Sequence, residues 1–197
     1  MLGRTGLRAG DPLDEGERAR LLDADLSWRA REAALDLLTL RARSRRELEQ
    51  RLRRKGFSPG VVNPCLDELA AKGIVDDQAF ARSFVRDRLR LRPRGKGLLE
   101  RELRGKGVDG ETGARAVEEV FGSEEVHEDV LAREAALGWL RRQAPEARRA
   151  LALHGRAPER ERARRRLHGF LARRGFRGEA ALAGVQAAEE EARASTP

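Results

Sequence analysis

The sequence predicts an all-α protein built as a tandem array of three three-helix repeats. Three stretches share two leucines four residues apart, then a glycine and an apolar residue: ELEQRLRRKGF (47–57), LERELRGKGV (99–108) and RLHGFLARRGF (166–176). Aromatic residues make up only 4% of the chain, and no segment alternates apolar and polar residues as a half-buried strand does. A unit that recurs three times in 197 residues is typical of a modular helical array.

The first repeat follows an N-terminal arm that is rich in glycine and acidic residues and is expected to be mobile. Each repeat should bury too little apolar surface to be stable by itself, so neighbouring repeats should pack on each other. The predicted boundaries are 1–27 for the arm, 28–75, 76–122 and 123–193 for the three repeats, 144–159 for an insertion in the third, and 194–197 for a frayed tail.

Capping and helix-ending residues define the helices of the first repeat. Ser44 precedes Glu47 by three residues, a capping box that predicts the start of the second helix. Gly56 then ends that helix, because glycine adopts a left-handed conformation without cost. Ser58 is predicted to cap the third helix, in which Pro64 should cause a kink or a late start.

The later repeats follow the same plan. In the second repeat, Asp76 or Asp77 is expected to cap the first helix, Gly107 to end the second, and Asp109 to cap the third. In the third repeat, helices are predicted near Glu128, over 160–174 and over 178–192. The chain is thus predicted to contain nine helices in three groups of three.

The charge balance favours an anionic partner. The net charge is +8 and the isoelectric point is about 10.9, as expected for a protein that contacts nucleic acid or an acidic protein surface. The 37 arginines far outnumber the 4 lysines, a skew that the coding bias of a GC-rich genome also explains. Composition alone therefore leaves the partner open.

Three basic clusters, at 41–55, 82–96 and 160–174, give one block of like charge to each repeat. A single cluster is well explained as the solvated face of an amphipathic helix. Three clusters favour a basic surface that follows a polyanion. The predicted binding residues are Arg45, Arg46, Arg51, Arg53, Arg54, Lys55, Arg82, Arg86, Arg90, Arg92, Arg94, Lys96, Arg162, Arg164, Arg165, Arg166, Arg173 and Arg174.

No catalytic or metal-binding constellation is recognised, and no cofactor is expected. The three histidines lack the spacing of metal ligands, and neither Gly-Lys-Gly sequence belongs to a phosphate-binding loop. Cys65 falls on an apolar stripe and is expected to be a buried, inert thiol. A single cysteine, no long apolar stretch and no apolar leader favour a cytoplasmic protein without a membrane span.

Several segments closely resemble RecX proteins, bacterial regulators of the RecA recombinase. They are ALDLLTLRARSRRELEQRLRRKGF, LDELAAKGIVDDQAFARSFVRDRL, ERELRGKGV and RLHGFLARRGF. The resemblance implies an elongated, curved, non-enzymatic protein that binds the groove of RecA–DNA filaments. It would suppress filament growth, ATP hydrolysis and strand exchange, and so restrain recombination and the SOS response. It also implies weak, nonspecific binding to single- or double-stranded DNA, and a monomer is the default expectation.

Two other classes of protein remain open. A free-standing DNA-binding protein, such as a helix-turn-helix regulator, would use an arginine-rich second helix, although sequence readout also needs side chains such as Asn or Gln. A purely structural repeat protein would keep all its interactions after charge reversal at Arg162, Arg164 and Arg165. An enzyme is the class that the sequence favours least.

Overall fold

The all-α prediction is confirmed. The computed structural model describes residues 14–195, which form ten helices and no strand. None of these helices is long and apolar enough to cross a membrane. The helices are α1 (Glu15–Leu40), α2 (Arg45–Arg54), α3 (Pro59–Ala71), α4 (Asp77–Leu91), α5 (Lys96–Gly105), α6 (Gly110–Ser123), α7 (Glu128–Arg141), α8 (Pro145–Ala152), α9 (Pro158–Arg173) and α10 (Gly178–Ala194).

The chain divides after Asp76 into two compact units. Unit 1 holds α1–α3, which we call repeat 1. Unit 2 holds α4–α6, which we call repeat 2, and α7–α10, which we call repeat 3.

The core of unit 1 lies among its three helices. Leu48 and Leu52 of α2 are completely buried, as is Leu66 of α3, and they pack with Ala30 and Ala34 of α1. Full burial of a leucine contributes about 2 kcal/mol. The leucine pair predicted from the sequence is thus a central part of this core.

The second half of the N-terminal arm predicted over residues 1–27 is instead the start of helix α1, which begins at Glu15. Asp14 and Glu17 form a reciprocal capping box, in which the Glu17 amide donates to Asp14 Oδ1 over 2.7 Å. The helix continues through residues with high helix propensity, although its first buried residue is Ala30. Because no residue between 15 and 29 is buried, a search for apolar periodicity does not detect this part of the helix. Residues 1–13, and residues 196–197 of the predicted tail, lie outside the described range.

Helix α3 begins at Pro59, five residues before Pro64. The late start predicted from Pro64 is therefore not observed. Pro64 is exposed, while Cys65 and Leu66 beside it are buried. Ser58 occupies the N-cap position, but its side chain makes no capping hydrogen bond. At Ser44, by contrast, the hydroxyl accepts the predicted bond from the Glu47 amide at 3.1 Å.

Unit 2 contains two apolar clusters that share a residue. Leu99 and Leu103 belong to the cluster of repeat 2, and Leu167 and Leu171 belong to that of repeat 3. Leu131 of α7 packs against both clusters. Repeats 2 and 3 therefore form one continuous packed unit.

The insertion in repeat 3 contains helix α8, so residues 14–195 form ten helices and the predicted nine is wrong. Pro145 is at the first helical position, where its fixed φ favours a helix and its missing N–H costs nothing. Leu151 is completely buried in the core of repeat 3. A single apolar anchor on a helix of eight residues is too weak a periodic signal to predict.

Helices α2, α5 and α9 end in the same backbone motif. The glycines at these helix ends have positive φ: +94° at Gly56, +85° at Gly107 and +89° at Gly175. The following amide returns to the carbonyl five residues earlier, from Phe57 to Leu52, Val108 to Leu103 and Phe176 to Leu171, at 3.1–3.3 Å. This is the Schellman motif, which satisfies carbonyl groups left free at a helix end.

The third of these helix ends also joins repeats 2 and 3. The Gly95 amide, just before α5, donates a 2.8 Å hydrogen bond to the carbonyl of Arg174. A Cβ on Gly175 would lie only 2.6 Å from Leu98 Cβ and 2.9 Å from the Gly95 carbonyl oxygen. The two backbones can cross this closely only because both residues at the crossing are glycines.

Candidate functional site

The eighteen basic side chains predicted to bind a partner fall into three classes. Seven form ion pairs with acidic residues. Arg174 instead contacts a carbonyl and an aromatic ring. The other ten side chains have no ion pair or hydrogen bond within residues 14–195. This division separates cations that already have a partner within residues 14–195 from cations that have none there.

The ion-paired class includes a contact that recurs in two repeats. Arg45 Nη2 lies 2.8 Å from Asp67 Oδ1, and Lys96 Nζ lies 2.6 Å from Glu118 Oε2. Each pair joins the start of the second helix to the third helix at an equivalent position. The remaining pairs are Arg53–Glu49, Arg82–Glu119, Arg86–Glu124, Arg94–Glu102 and Arg164–Glu189.

Arg164 belongs to a buried carboxylate network in repeat 3. Glu189 of α10 is only 5% exposed. It lies 2.9 Å from Arg160, 3.0 Å from Arg164 and 3.5 Å from Arg193. The Arg160 contact is a hydrogen bond, whereas the Arg164 Nε and Glu189 Oε1 atoms approach without hydrogen-bond geometry. We therefore regard the Arg164 contact as a charge–charge interaction. Because Arg164 serves this internal contact, we do not count it among the candidate binding residues.

The ten remaining candidates are exposed and occur in all three repeats. They lie on or directly after α2, α4 and α9. They are Arg46, Arg51, Arg54, Lys55, Arg90, Arg92, Arg162, Arg165, Arg166 and Arg173.

Helix α9 carries the most regular group of these side chains. The spacing of Arg162, Arg165, Arg166 and Arg173 places them on one face of the helix, while Leu167 and the rest of the buried stripe face the core. We call these four residues the α9 arginine face. Arg162 and Arg166 are four residues apart, and such a like-charge pair destabilises a helix by a few tenths of a kcal/mol (about 0.2–0.5). A bound anion would remove this repulsion.

The predicted binding set leaves out several exposed arginines whose side chains have no ion pair or hydrogen bond within residues 14–195, among them Arg104, Arg141 and Arg142. Arg104 occupies the position of Arg53 when the repeats are aligned on their glycines, so the repeat register contained a signal for it. Arg141 and Arg142 end helix α7 and lie outside the three basic clusters. Whether these two arginines lie near other basic side chains depends on how the helices pack, which the linear sequence does not show.

Cys65, the one cysteine in the sequence, is buried in the core of repeat 1. Cys65 is 7% exposed, and burial is the main cause that raises the pKa of its thiol above the usual value. A raised pKa disfavours the thiolate, which is the nucleophilic form. Across residues 14–195, no group of three or more His, Cys, Asp or Glu side chains is arranged to hold a metal ion.

Comparison with protein families gives two adjacent matches. The model of the first three-helix domain of RecX matches residues 30–69, and that of the second three-helix domain matches residues 76–117. The first match lies in repeat 1. The second runs from the residue before α4 into α6 and so lies in repeat 2.

Curated relatives and solved structures agree with these matches. A regulatory protein RecX of Corynebacterium efficiens is 36% identical over 166 residues, covering 83% of this chain and 74% of the relative. One from Halorhodospira halophila is 37% identical over 161 residues, covering 82% and 89%. A crystal structure of a regulatory protein RecX superposes with a TM-score of 0.70 at 25% identity, covering 88% of this chain and 80% of that one.

Proposed function

The chain belongs to the RecX family of regulatory proteins, and from this premise we propose that it is a non-enzymatic negative regulator of the RecA recombinase. It binds the groove of RecA–DNA filaments and suppresses filament growth, ATP hydrolysis and strand exchange. In the cell it thereby restrains recombination and the SOS response. Its relatives are named regulatory proteins, which supports the regulatory part of this proposal.

The observation that best supports filament binding is a set of exposed cations on α2 and α9 that have no partner within residues 14–195. The α9 arginine face in repeat 3 and the exposed Arg46 and Arg54 in repeat 1 have no carboxylate partner within residues 14–195. A recombinase filament on DNA offers phosphate groups and acidic side chains at regular intervals. Weak contacts from several repeats then add into useful affinity.

The proposed inhibition follows from binding at several points. A protein that contacts neighbouring recombinase subunits at once resists any change in their relative position. Each ATP cycle in the filament needs such a change, so turnover slows when the regulator is bound. This mechanism needs no catalytic group on the regulator.

Charge reversal on the α9 arginine face is expected to weaken binding to the filament about tenfold or more, because attraction to the polyanion is replaced by repulsion. The variant is Arg162→Glu with Arg166→Glu, since both side chains are exposed and have no ion pair within residues 14–195. Arg164 is left intact because it pairs with Glu189. The measurement is co-sedimentation with the recombinase on single-stranded DNA, with and without nucleotide.

The matched control carries Arg18→Glu and Arg20→Glu on the exposed start of α1, where neither arginine has a partner within residues 14–195. Both double variants change the net charge equally, so a nonspecific charge effect would weaken both. Equal loss of binding in the two variants, or no loss in either, would count against the α9 face. A parallel titration of DNA without recombinase tests the alternative of a free-standing DNA-binding protein, which requires tight, sequence-selective binding.

A further inference from the structure

Unit 2 contains a cleft whose lining is dominated by arginine. It lies between the segment after α4, helix α7 and the end of α9, and has a volume of about 560 Å³. This volume is within the usual range of small-ligand sites. The charged side chains that line it are Arg92, Arg141, Arg142, Arg174 and Glu134. We call it the arginine cleft.

Residues 14–195 do not neutralise the arginines of the cleft. Arg92, Arg141 and Arg142 make no ion pair with any residue between 14 and 195. Arg174 also lacks a carboxylate partner there, and Glu134 is the one acidic residue in the lining. The lining therefore carries a net charge of about +3, from four guanidinium groups and one carboxylate.

The partial negative charges at nearby helix C-termini offset only part of the positive charge of the lining. Helix α4 ends at Leu91, and Arg142 and Arg174 are the C-cap residues of α7 and α9. Each helix C-terminus carries about half a negative charge. Three such ends would offset roughly half of the net charge of the lining, which leaves a positive excess of about 1.5.

Arg174 is held in place before any ligand arrives. Its Nη1 donates a 3.1 Å hydrogen bond to the carbonyl of Pro93. Its guanidinium carbon lies 5.1 Å from the centre of the Phe170 ring, which in turn packs against Trp139. Burial, followed by repulsion from the nearby arginines Arg92, Arg142 and Arg94, lowers the pKa of Arg174. A rigid, unneutralised guanidinium loses little entropy when it binds an anion.

We propose that the arginine cleft at the junction of repeats 2 and 3 is a binding site for a phosphate group. Guanidinium groups match phosphate oxygens with paired hydrogen bonds. A phosphoanion with two or more charges and several free oxygens can contact more than one arginine at once, whereas a carboxylate offers one charge and two oxygens. The phosphate can belong to a free polyphosphate or to the backbone of DNA, and these sources share the same recognition chemistry.

The test is calorimetric titration of the full chain with inorganic tripolyphosphate in a phosphate-free buffer. The wild-type protein should bind it saturably at a single site. Arg92→Gln with Arg142→Gln should weaken that binding by about tenfold or more, since two of the charge-assisted contacts are lost. The matched control, Arg18→Gln with Arg20→Gln on the exposed start of α1, removes the same charge elsewhere and should change the affinity by less than about twofold.

A third variant predicts a change in the opposite direction. Glu134→Gln removes the negative charge from the lining and should tighten tripolyphosphate binding by about twofold or more. The side chain of Glu134 is exposed and makes no ion pair within the described residues, so this variant should fold normally. It keeps the proposal testable if the double arginine variant is unstable.

The source of the phosphate is separated by repeating the titrations with a single-stranded oligonucleotide. Equal weakening of oligonucleotide and tripolyphosphate binding by the cleft variant assigns the site to DNA phosphate. Weakening of tripolyphosphate binding alone assigns it to a free phosphoanion. The proposal is overturned if tripolyphosphate does not bind, or if the α1 control weakens binding as much as the cleft variant does. It is also overturned if the cleft variant changes the binding of an oligoglutamate peptide but not that of tripolyphosphate. These titrations contain no recombinase, so a negative result would not contradict the proposed regulation of the filament.

Discussion

Replacing Gly175 with alanine is expected to destabilise unit 2 by about 4 kcal/mol, because backbone strain and steric overlap act together. The residue has φ of +89°, which a residue with a Cβ adopts only at a cost of about 1–2 kcal/mol. The added methyl group would also press on Leu98 and on the Gly95 carbonyl of the neighbouring repeat. Because the obstacle includes backbone, relief requires the two repeats to separate.

The equivalent glycine of repeat 2 provides the control for this prediction. Gly107 has nearly the same φ, +85°, but an added Cβ would meet nothing within 4 Å. Gly107→Ala should therefore cost only about 1–2 kcal/mol, from the backbone strain alone. Denaturant unfolding of both variants measures the difference, and equal losses of stability would show that the close crossing of repeats 2 and 3 is not formed in solution.

Replacing Glu189 with glutamine is expected to cost about 3 kcal/mol, because a buried charge loses its partner. Glutamine keeps the size of the side chain but leaves Arg160 and Arg164 without a counter-charge, and the Arg160 side chain is only 16% exposed. Glu49→Gln in α2 serves as the control, since it removes an exposed i,i+4 pair with Arg53. Such a pair contributes less than about 0.5 kcal/mol. Thermal and denaturant unfolding measure both variants.

A second replacement separates the loss of charge pairing from a loss of packing. Arg160→Met with Glu189→Leu removes the most buried ion pair of the network and substitutes apolar contacts. Exchange of a buried ion pair for apolar residues is often close to neutral, so this double variant should regain most of the stability lost in Glu189→Gln. If the single variant is as stable as the wild type, the network does not support repeat 3.

The repeating features of the fold were predictable because they are local. Leucines four residues apart form a buried stripe on any helix, and a glycine after a basic residue ends it in the same way in all three repeats. The start of α1 was missed because its capping box lies far from the first buried residue, Ala30. Helix α8 was missed because Leu151 is its single buried anchor.

The candidate site was less predictable because pairing between helices decides which cations are free. Arg86 pairs with Glu124, which is 38 residues away in the sequence, and no local sequence pattern predicts such a contact. The arginine cleft joins residues from three segments of repeats 2 and 3, so clustering along the sequence could not reveal it. The recurring pair of Arg45 with Asp67 is an exception, since Lys96 and Glu118 occupy the same positions relative to the helix-ending glycine.

The DNA-stimulated ATPase of the recombinase tests the central proposal most directly. Titration with the wild-type protein should reduce turnover saturably, as expected when a bound regulator resists movement between filament subunits. The variant with Arg162→Glu and Arg166→Glu should need about tenfold more protein for the same reduction. Turnover that stays unchanged at saturating wild-type protein would contradict the proposal that this chain restrains the recombinase by binding its filament.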